Sequence, residues 1–151
     1  KMKAVLLVAA LLVASVVAYE RLWAKGDVLL DILQNGKDEL HIVKFYDPTN
    51  TPEIYGKVRE NDRVTHELLE YMKTLDEGGE NAFPTKVFYS TVDATDPYNA
   101  NIIHKADFNQ TVLDDGPVIV TLRHQSGNLQ YGAQVIPAVK KSIEELKTQE
   151  Q

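Results

Sequence analysis

The feature that most constrains the fold is a run of sixteen uncharged residues, Ala4 to Tyr19, near the start of the chain. Ser15 is its only polar side chain before the terminal tyrosine, and charged residues lie on both sides of it. A run this apolar does not suit the surface of a globular domain, so it predicts a membrane-targeting segment. The sequence therefore divides into an N-terminal segment, residues 1–25, and a globular domain, residues 26–151.

Two interpretations of this segment are open. A basic start, a short apolar stretch and a cleavage-like sequence at residues 16–18 are typical of a secretory signal peptide. The second interpretation is a retained single-pass helix, although sixteen helical residues span only about 24 Å of a bilayer core of about 30 Å. Extension through Trp23, with Arg21 reaching the headgroups, supplies the missing length. We therefore expect one N-terminal transmembrane helix that contacts lipid through residues 2–23.

Charge and composition exclude several functions. The chain carries 16 Lys and Arg against 22 Asp and Glu, a formal net charge of −6, without a basic cluster that would bind nucleic acid. It contains no cysteine, which excludes disulfides, thiolate nucleophiles and iron–sulfur clusters. Its four histidines lack the spacing of metal ligands, and phosphate-binding loops and nucleophile elbows are absent. The sequence thus predicts no catalytic residue, no metal and no cofactor.

Strand and helix patterns alternate through the globular part. The β-rich runs predict four strands: His41–Tyr46, Lys86–Val92, Val118–His124 and Leu129–Ala133. A hairpin turn is expected between the last two, at Ser126–Asn128.

Helical periodicity predicts the remaining elements. A first helix is expected to begin at the cap Asp27 and to end at Asn35-Gly36, and a long one to end near Leu75. A short helix is expected over Tyr98–Lys105, and a last one has Pro137 in its first turn. The resulting order, α-β-α-β-α-β-β-α, predicts an α/β fold with a mixed central sheet and helices on both faces.

Short motifs follow one another in a particular order. They are VKFYDP at Val43–Pro48, VDAT at Val92–Thr95, Gly116-Pro117 before a strand, the Gly127 hairpin and Tyr131-Gly132. Together they resemble the thioredoxin superfamily, and most closely the redox domains of protein disulfide isomerases, over about residues 27–147. The resemblance implies a thioredoxin-like fold. It also implies a cis bond before Pro117, in a loop that holds extended peptide in redox relatives.

The resemblance breaks down at the redox motif. Residues 49–53 (TNTPE) occupy the stretch that reads Trp-Cys-Gly-Pro-Cys in the family, so Asn50 and Glu53 replace the two cysteines. The family's oxidoreductase activity is therefore not expected. Asn50 and Glu53 instead suit a capping box at the start of the long helix, with Glu53 at the positive end of its dipole. Lys44 stands where the family often has a buried acid.

Other candidate residues have simpler explanations. Asn109-Gln110-Thr111 matches the N-glycosylation pattern, which would be used only in a secretory lumen. The acidic pairs at 114–115 and 144–145 are expected to be solvated surface, since sequence neighbours do not converge on one point. His66 is expected to be a surface histidine rather than a metal ligand.

These observations predict a non-catalytic, membrane-anchored accessory subunit of a larger membrane protein complex, whose partners are the other subunits and the bilayer. A respiratory assembly of the mitochondrial inner membrane is the favoured setting, and a thylakoid complex fits equally well. The alternative is a protein of the endoplasmic reticulum lumen, related to disulfide isomerases, that binds unfolded clients without redox chemistry. A glycan on Asn109 would favour this alternative.

Overall fold

A mixed five-stranded sheet forms the centre of the fold. The computed structural model describes residues 19–49, 54–76 and 78–149, and only the backbone of residues 54–58. Most of the apolar run and positions 50–53 lie outside these ranges. The strands are β1 (Glu20–Arg21), β2 (Leu40–Tyr46), β3 (Val87–Asp93), β4 (Val118–Arg123) and β5 (Ser126–Gln130).

The strand order is β1-β3-β2-β4-β5. Strands β1, β3 and β2 are parallel, whereas β4 runs antiparallel to β2, and β5 antiparallel to β4. Four α-helices flank the sheet: α1 (Gly26–Gln34), α2 (Ile54–Met72), α3 (Ala100–Ala106) and α4 (Val135–Lys147). Single 3-10 turns lie at Lys73–Leu75, Pro97–Asn99 and Gln110–Asp114.

Two apolar cores lie on opposite faces of the sheet. Strand β2 contributes side chains to both cores, because alternate side chains of a strand point to opposite faces of the sheet. Leu40 and Ile42 pack with α2 and α4, whereas Val43 and Phe45 pack with α1 and α3. The expected three-layer α/β architecture with a mixed sheet is confirmed.

Strand β1 extends the domain toward the N-terminus. Glu20 pairs with Phe88 and Arg21 with Tyr89, and the backbone N–H of Leu22 donates to the Tyr89 carbonyl over 2.8 Å. The structure thus places residues 19–25 with the globular part, where the sequence had assigned them to the anchor. Residues 20–22 pair with β3 and add no length to the apolar segment, so its expected extension through Trp23 is wrong. Within the ranges that the structure describes, no helix is long and apolar enough to cross a bilayer.

The hairpin turn lies two residues earlier than the sequence predicts. His124 and Gln125 form it, with φ of 55° and 63°, and β5 begins directly at Ser126. The expected hairpin and its fourth strand are present, but the turn at Ser126–Asn128 is wrong, and the strand spans Ser126–Gln130 rather than Leu129–Ala133. Gly127, which suggested the turn, lies within the strand, and glycine is required there because a Cβ would overlap the carbonyl oxygen of Thr121.

The start of helix α1 also differs from expectation. Lys25 is the residue before the helix and Asp27 lies in its first turn, where its carboxylate accepts from the Asn101 amide over 3.0 Å. The cap comes from elsewhere, since the Gly26 N–H donates to Asn99 Oδ1 over 2.8 Å. Gly26 has a φ of 59°, and a Cβ there would lie 2.6 Å from a backbone oxygen. Tertiary contacts thus replace the local cap.

The other helices agree with the sequence. The long helix α2 continues as a 3-10 turn to Leu75, and the predicted short helix corresponds to the turn at Pro97–Asn99 followed by α3. Pro137 lies in the first turn of α4, which buries Ile136, Val139, Ile143 and Leu146.

Candidate functional site

The end of strand β2 is the corner at which the resemblance to thioredoxins would place the redox motif. After Tyr46 the chain turns at Asp47, whose Oδ1 accepts from Thr49 N over 2.8 Å and from Thr49 Oγ1 over 2.5 Å. Buried Asn61 of α2 holds the same turn by donating to the Asp47 carbonyl over 3.2 Å. The next residues, Asn50 to Glu53, lie outside the described residues, so their capping role stays a prediction.

The loop before β4 borders this corner. Gly116 and Pro117 are buried, and a Cβ on Gly116 would lie 2.9 Å from Cγ of Glu60 in α2. No peptide bond within the described ranges is cis, so the bond before Pro117 is trans and the expected cis bond is wrong for this structure. Gly116 has a φ of 149°, which a residue with a side chain rarely adopts.

Lys44 lies buried beneath the same corner. Its Nζ donates to Thr65 Oγ1 of α2 over 2.6 Å and lies 5.0 Å from the centre of the Tyr46 ring. Burial and, to a smaller extent, the charge of Arg21 lower the pKa of Lys44, Asp62 partly opposes them, and the resulting pKa is about 8. Lys44 thus stands where the resemblance to thioredoxins would place a buried acid. Its amine is mostly protonated at pH 7.

Arg21 completes the polar side of this region. Its Nη2 donates to Thr91 Oγ1 over 2.8 Å, and its guanidinium lies 4.9 Å from the Tyr89 ring centre. Burial raises the pKa of Tyr89 to about 12 and, together with the charge of Asp93, raises the pKa of Tyr46. Both phenols are therefore neutral at pH 7, and the buried Tyr89 hydroxyl has no hydrogen-bond partner among the described residues.

The charged side chains described at this corner are held by local contacts. In the part of the chain that the structure describes, no group of three His, Asp or Glu could hold a metal ion. The Glu60 carboxylate pairs with Arg63 over 2.9 Å, and this hydrogen bond lowers the pKa of Glu60. Lys44 is mostly protonated at pH 7, and its burial and its bond to Thr65 restrict the reach of its amine.

An apolar groove of about 610 Å³ opens on the other face of the sheet. The groove lies between helices α1 and α3 and strands β4 and β5. Its apolar lining includes Leu30, Leu33, Phe45, Ile102, Val120, Leu122 and Leu129. Helix α3 has only seven residues, about 10 Å of helix, so it leaves part of the sheet uncovered.

Sequence reasoning missed this groove. A signal for it exists in the alternation of Val120 and Leu122, which point to the same side of β4. That pattern shows an apolar face but does not show whether a helix covers it.

The remaining predicted residues lie at the surface. Asn109 is exposed before the 3-10 turn at Gln110–Asp114, and its Oδ1 accepts from Thr111 N over 3.1 Å and from Thr111 Oγ1 over 2.9 Å. The acidic pairs at 114–115 and 144–145 and His66 are exposed, as expected. None of them joins the corner or the groove.

Comparison with known proteins identifies the fold. No protein-family model and no curated protein matches the chain. Thioredoxin from Trypanosoma brucei brucei matches with 14% identity and a TM-score of 0.55, over 87% of this chain and 92% of that one. The chain has a thioredoxin-like fold. Malassezia sympodialis thioredoxin matches with 13% identity and a TM-score of 0.55, over 85% of this chain and 91% of that one.

A third thioredoxin gives the same result. Spinach chloroplast thioredoxin f matches with 11% identity and a TM-score of 0.51, over 86% of this chain and 94% of that one. At these identities the likeness concerns the thioredoxin-like fold alone. Dithiol–disulfide exchange requires thiolates, and this thioredoxin-like chain has no cysteine with which to perform it.

Proposed function

We propose that this protein is a non-catalytic thioredoxin-like accessory subunit of a larger membrane protein complex, held at the bilayer by its N-terminal segment. The observation that carries the proposal is a thioredoxin-like fold in a chain without any cysteine. A protein that keeps the packed cores of this fold but lacks the reactive cysteines can still bind other proteins through its surface. The favoured setting is a respiratory assembly of the mitochondrial inner membrane or a thylakoid complex.

The apolar groove supports a binding role. A groove of about 610 Å³ lined mainly by leucine, isoleucine and valine suits an apolar segment of another subunit. Lys105 and Gln34 stand around it and supply polar groups that can orient the bound segment.

The connection to the N-terminal segment supports membrane attachment. The apolar run ends at Tyr19, and β1 begins at the next residue, Glu20. No flexible linker separates the two. A domain joined to an anchor in this way is held close to the bilayer, where it meets the other subunits of a membrane complex.

The test is to solubilise the source membrane in mild detergent and separate its complexes under native conditions. Mass spectrometry then identifies the proteins that migrate with this chain. We expect a large, constant set of partners, and peptides from Ala4–Tyr19 in the recovered chain. Migration near 17.0 kDa without the apolar segment contradicts the proposal.

A groove variant tests the binding role. Leu122→Glu puts a charge into the half-buried lining, and we expect the chain to leave the complex while its melting temperature stays above the working temperature. Tyr131→Glu, at an exposed position outside the groove lining, is the matched control and should remain bound. Equal retention of the two variants contradicts binding through the groove.

A second candidate is a protein of the endoplasmic reticulum lumen, related to disulfide isomerases, that binds unfolded clients. The exposure of Asn109 favours it, because an acceptor asparagine must be accessible. Treatment with a glycosidase distinguishes the two candidates. A mobility shift that Asn109→Gln abolishes places the domain in the secretory lumen, and the absence of a shift leaves the first proposal in place.

A further inference from the structure

Two positively charged side chains lie on the same side of the parallel strands. Lys44 of β2 contacts Thr65 of α2, and the Arg21 guanidinium of β1 lies 4.9 Å from the ring centre of Tyr89, which packs in the core with α2 and α4. Thr91 of β3 links them, because it is directly opposite Lys44 in the register and its hydroxyl accepts from Arg21 Nη2 over 2.8 Å. We call Arg21, Lys44, Tyr89 and Thr91 the cationic cluster.

The cationic cluster has more hydrogen-bond donors than acceptors. A lysine has three N–H donors and an arginine five. Among the described residues each of these two cations has one hydroxyl acceptor, Thr65 for Lys44 and Thr91 for Arg21. Arg21 Nε and the hydroxyl of Tyr89 are buried without a partner in that part of the chain. Since buried polar groups in native proteins are nearly always hydrogen-bonded, this excess of donors favours a bound acceptor.

The positive charges of the cationic cluster also lack a paired carboxylate. In the ranges that the structure describes, neither Lys44 nor Arg21 forms an ion pair, and the exposed Asp62 only partly opposes the lowering of the Lys44 pKa. The Asp93 carboxylate on β3 accepts from Thr95 N over 2.8 Å and from Thr95 Oγ1 over 2.6 Å instead. Buried charge without a partner is destabilising, so a bound anion would stabilise this region.

We propose that the cationic cluster is a binding site for a phosphate group. A phosphate group carries about 1.5 to 2 negative charges at pH 7, which balances both cations, whereas a carboxylate would balance only one. Its several oxygens accept the donors of arginine and lysine, which are the side chains that most often bind phosphate. Arg21 and Thr91 are half-buried, so the cationic cluster opens to solvent on their side.

The phosphate group has two possible sources. Arg21 lies two residues after the apolar run ends at Tyr19, and two residues span at most about 7 Å, so a lipid headgroup is one source. Free inorganic phosphate is the other. The proposed site goes beyond the accessory-subunit role and does not depend on it.

The test measures the melting temperature of the full chain in a nonionic detergent at pH 7 against inorganic phosphate. Sodium chloride at the same ionic strength is the control. We expect a saturable rise with phosphate, because a ligand that binds only the folded state stabilises it. Trp23 reports the site directly, since it is the only tryptophan and its ring centre lies 4.5 Å from the Arg21 guanidinium. Its emission should change with the same half-saturation.

A matched pair of variants locates the binding. Lys44→Met removes one charge of the cationic cluster and should raise the half-saturating phosphate concentration about tenfold, since a hydrogen bond to a charged group is lost. The variant loses a buried charge and should stay folded, so weaker binding would not reflect unfolding. Lys141→Met removes an exposed lysine and should leave phosphate binding unchanged.

A lipid arm distinguishes the sources. Phosphatidic acid in the detergent micelles replaces inorganic phosphate, and phosphatidylcholine is its control. Half-saturation at a lower concentration of phosphatidic acid than of inorganic phosphate assigns the site to a lipid headgroup, and the reverse order assigns it to free phosphate.

Two results would overturn the site. One is a rise in melting temperature no larger with either phosphate source than with its control. The other is equal half-saturation in Lys44→Met and the unaltered chain, which would place the binding elsewhere on the molecule. A saturable rise that Lys44→Met weakens and Lys141→Met retains supports the site.

Discussion

At the scale of single residues, Lys44 shows how the fold changes the chemistry of a side chain. The ammonium group is buried, and its one short contact in the described residues is the bond to Thr65. Burial disfavours the charged form, so the pKa falls to about 8 from its usual 10.5. A charge held in such a place reduces the stability of the folded state.

Replacing Lys44 with methionine should therefore stabilise the protein. We expect Lys44→Met to raise the free energy of unfolding by about 2 kcal/mol at pH 7, since the cost of the buried charge exceeds the value of the lost hydrogen bond. Denaturant titration measures the change. Lys141→Met, at an exposed position, is the control and should change stability little.

The same residue predicts a pH dependence. Between pH 8 and 10.5 the unfolded chain binds more protons at Lys44 than the folded chain, so this group makes stability rise with pH in that window. We expect the advantage of Lys44→Met over the unaltered chain to shrink steadily from pH 8 to 10.5. A constant advantage across this range would contradict the lowered pKa.

At the scale of elements, the β4–β5 hairpin depends on its exact turn. Local sequence favoured a turn at Ser126–Asn128, because glycine and asparagine are common in turns. Pairing with β4 instead requires Gly127 within the strand, against the Thr121 carbonyl. The turn then falls on His124 and Gln125, which adopt left-handed backbone conformations.

Two glycine substitutions distinguish these registers. Gln125→Gly should stabilise the protein by about 0.5–1 kcal/mol, because glycine adopts the left-handed conformation without steric cost. Ser126→Gly, one residue later in β5, should destabilise it by a similar amount, since glycine weakens a strand. Thermal unfolding of the two variants measures both effects, and the reverse signs would support a turn at Ser126–Asn128.

Arg123 joins β4 to the end of α4. Its guanidinium donates to the carbonyls of Leu146 over 2.8 Å and Lys147 over 3.2 Å, and to the Asp38 carbonyl over 3.1 Å. It also pairs with the Asp38 carboxylate over 3.0 Å. The side chain is buried, so it supplies hydrogen bonds to a helix end that water does not reach freely.

Replacing Arg123 should therefore lower the free energy of unfolding more than replacing an exposed arginine. We expect Arg123→Met to lower the free energy of unfolding by about 3 kcal/mol, since several buried acceptors lose their donor. Arg63→Met breaks two exposed ion pairs in α2 and should cost less than about 1 kcal/mol. Equal costs in urea titrations would contradict a special role for Arg123.

At the scale of the whole molecule, the thioredoxin-like fold predicts the place of a redox site that the sequence does not contain. Asn50 and Glu53 have the i, i+3 spacing of the family's cysteines and directly precede helix α2. If the fold positions them as the resemblance implies, installing the two cysteines should create a pair that closes a disulfide.

The double variant Asn50→Cys/Glu53→Cys tests this. We expect it to form an intramolecular disulfide under mild oxidation, because a cysteine at a helix N-terminus has a lowered pKa. Glu67→Cys/Glu70→Cys has the same spacing in the middle of α2 and should stay largely reduced. Titration of free thiols measures both. Equal oxidation of the two pairs would show that the fold does not favour positions 50 and 53.

The sequence by itself determined the main helices, strands β2 to β4 and the class of sheet, because each is specified by hydrophobic periodicity over many neighbouring residues. It also excluded thiol chemistry, since that needs only a count of cysteines. Tertiary structure decided features that depend on distant residues. These features include the two-residue strand β1, the hairpin register, the trans bond before Pro117, the groove and the contact of Lys25 with Tyr98. Hydrophobic periodicity describes neighbouring residues only, so it does not predict contacts between distant segments. Local patterns specify which face of an element is apolar, and only packing specifies what covers it.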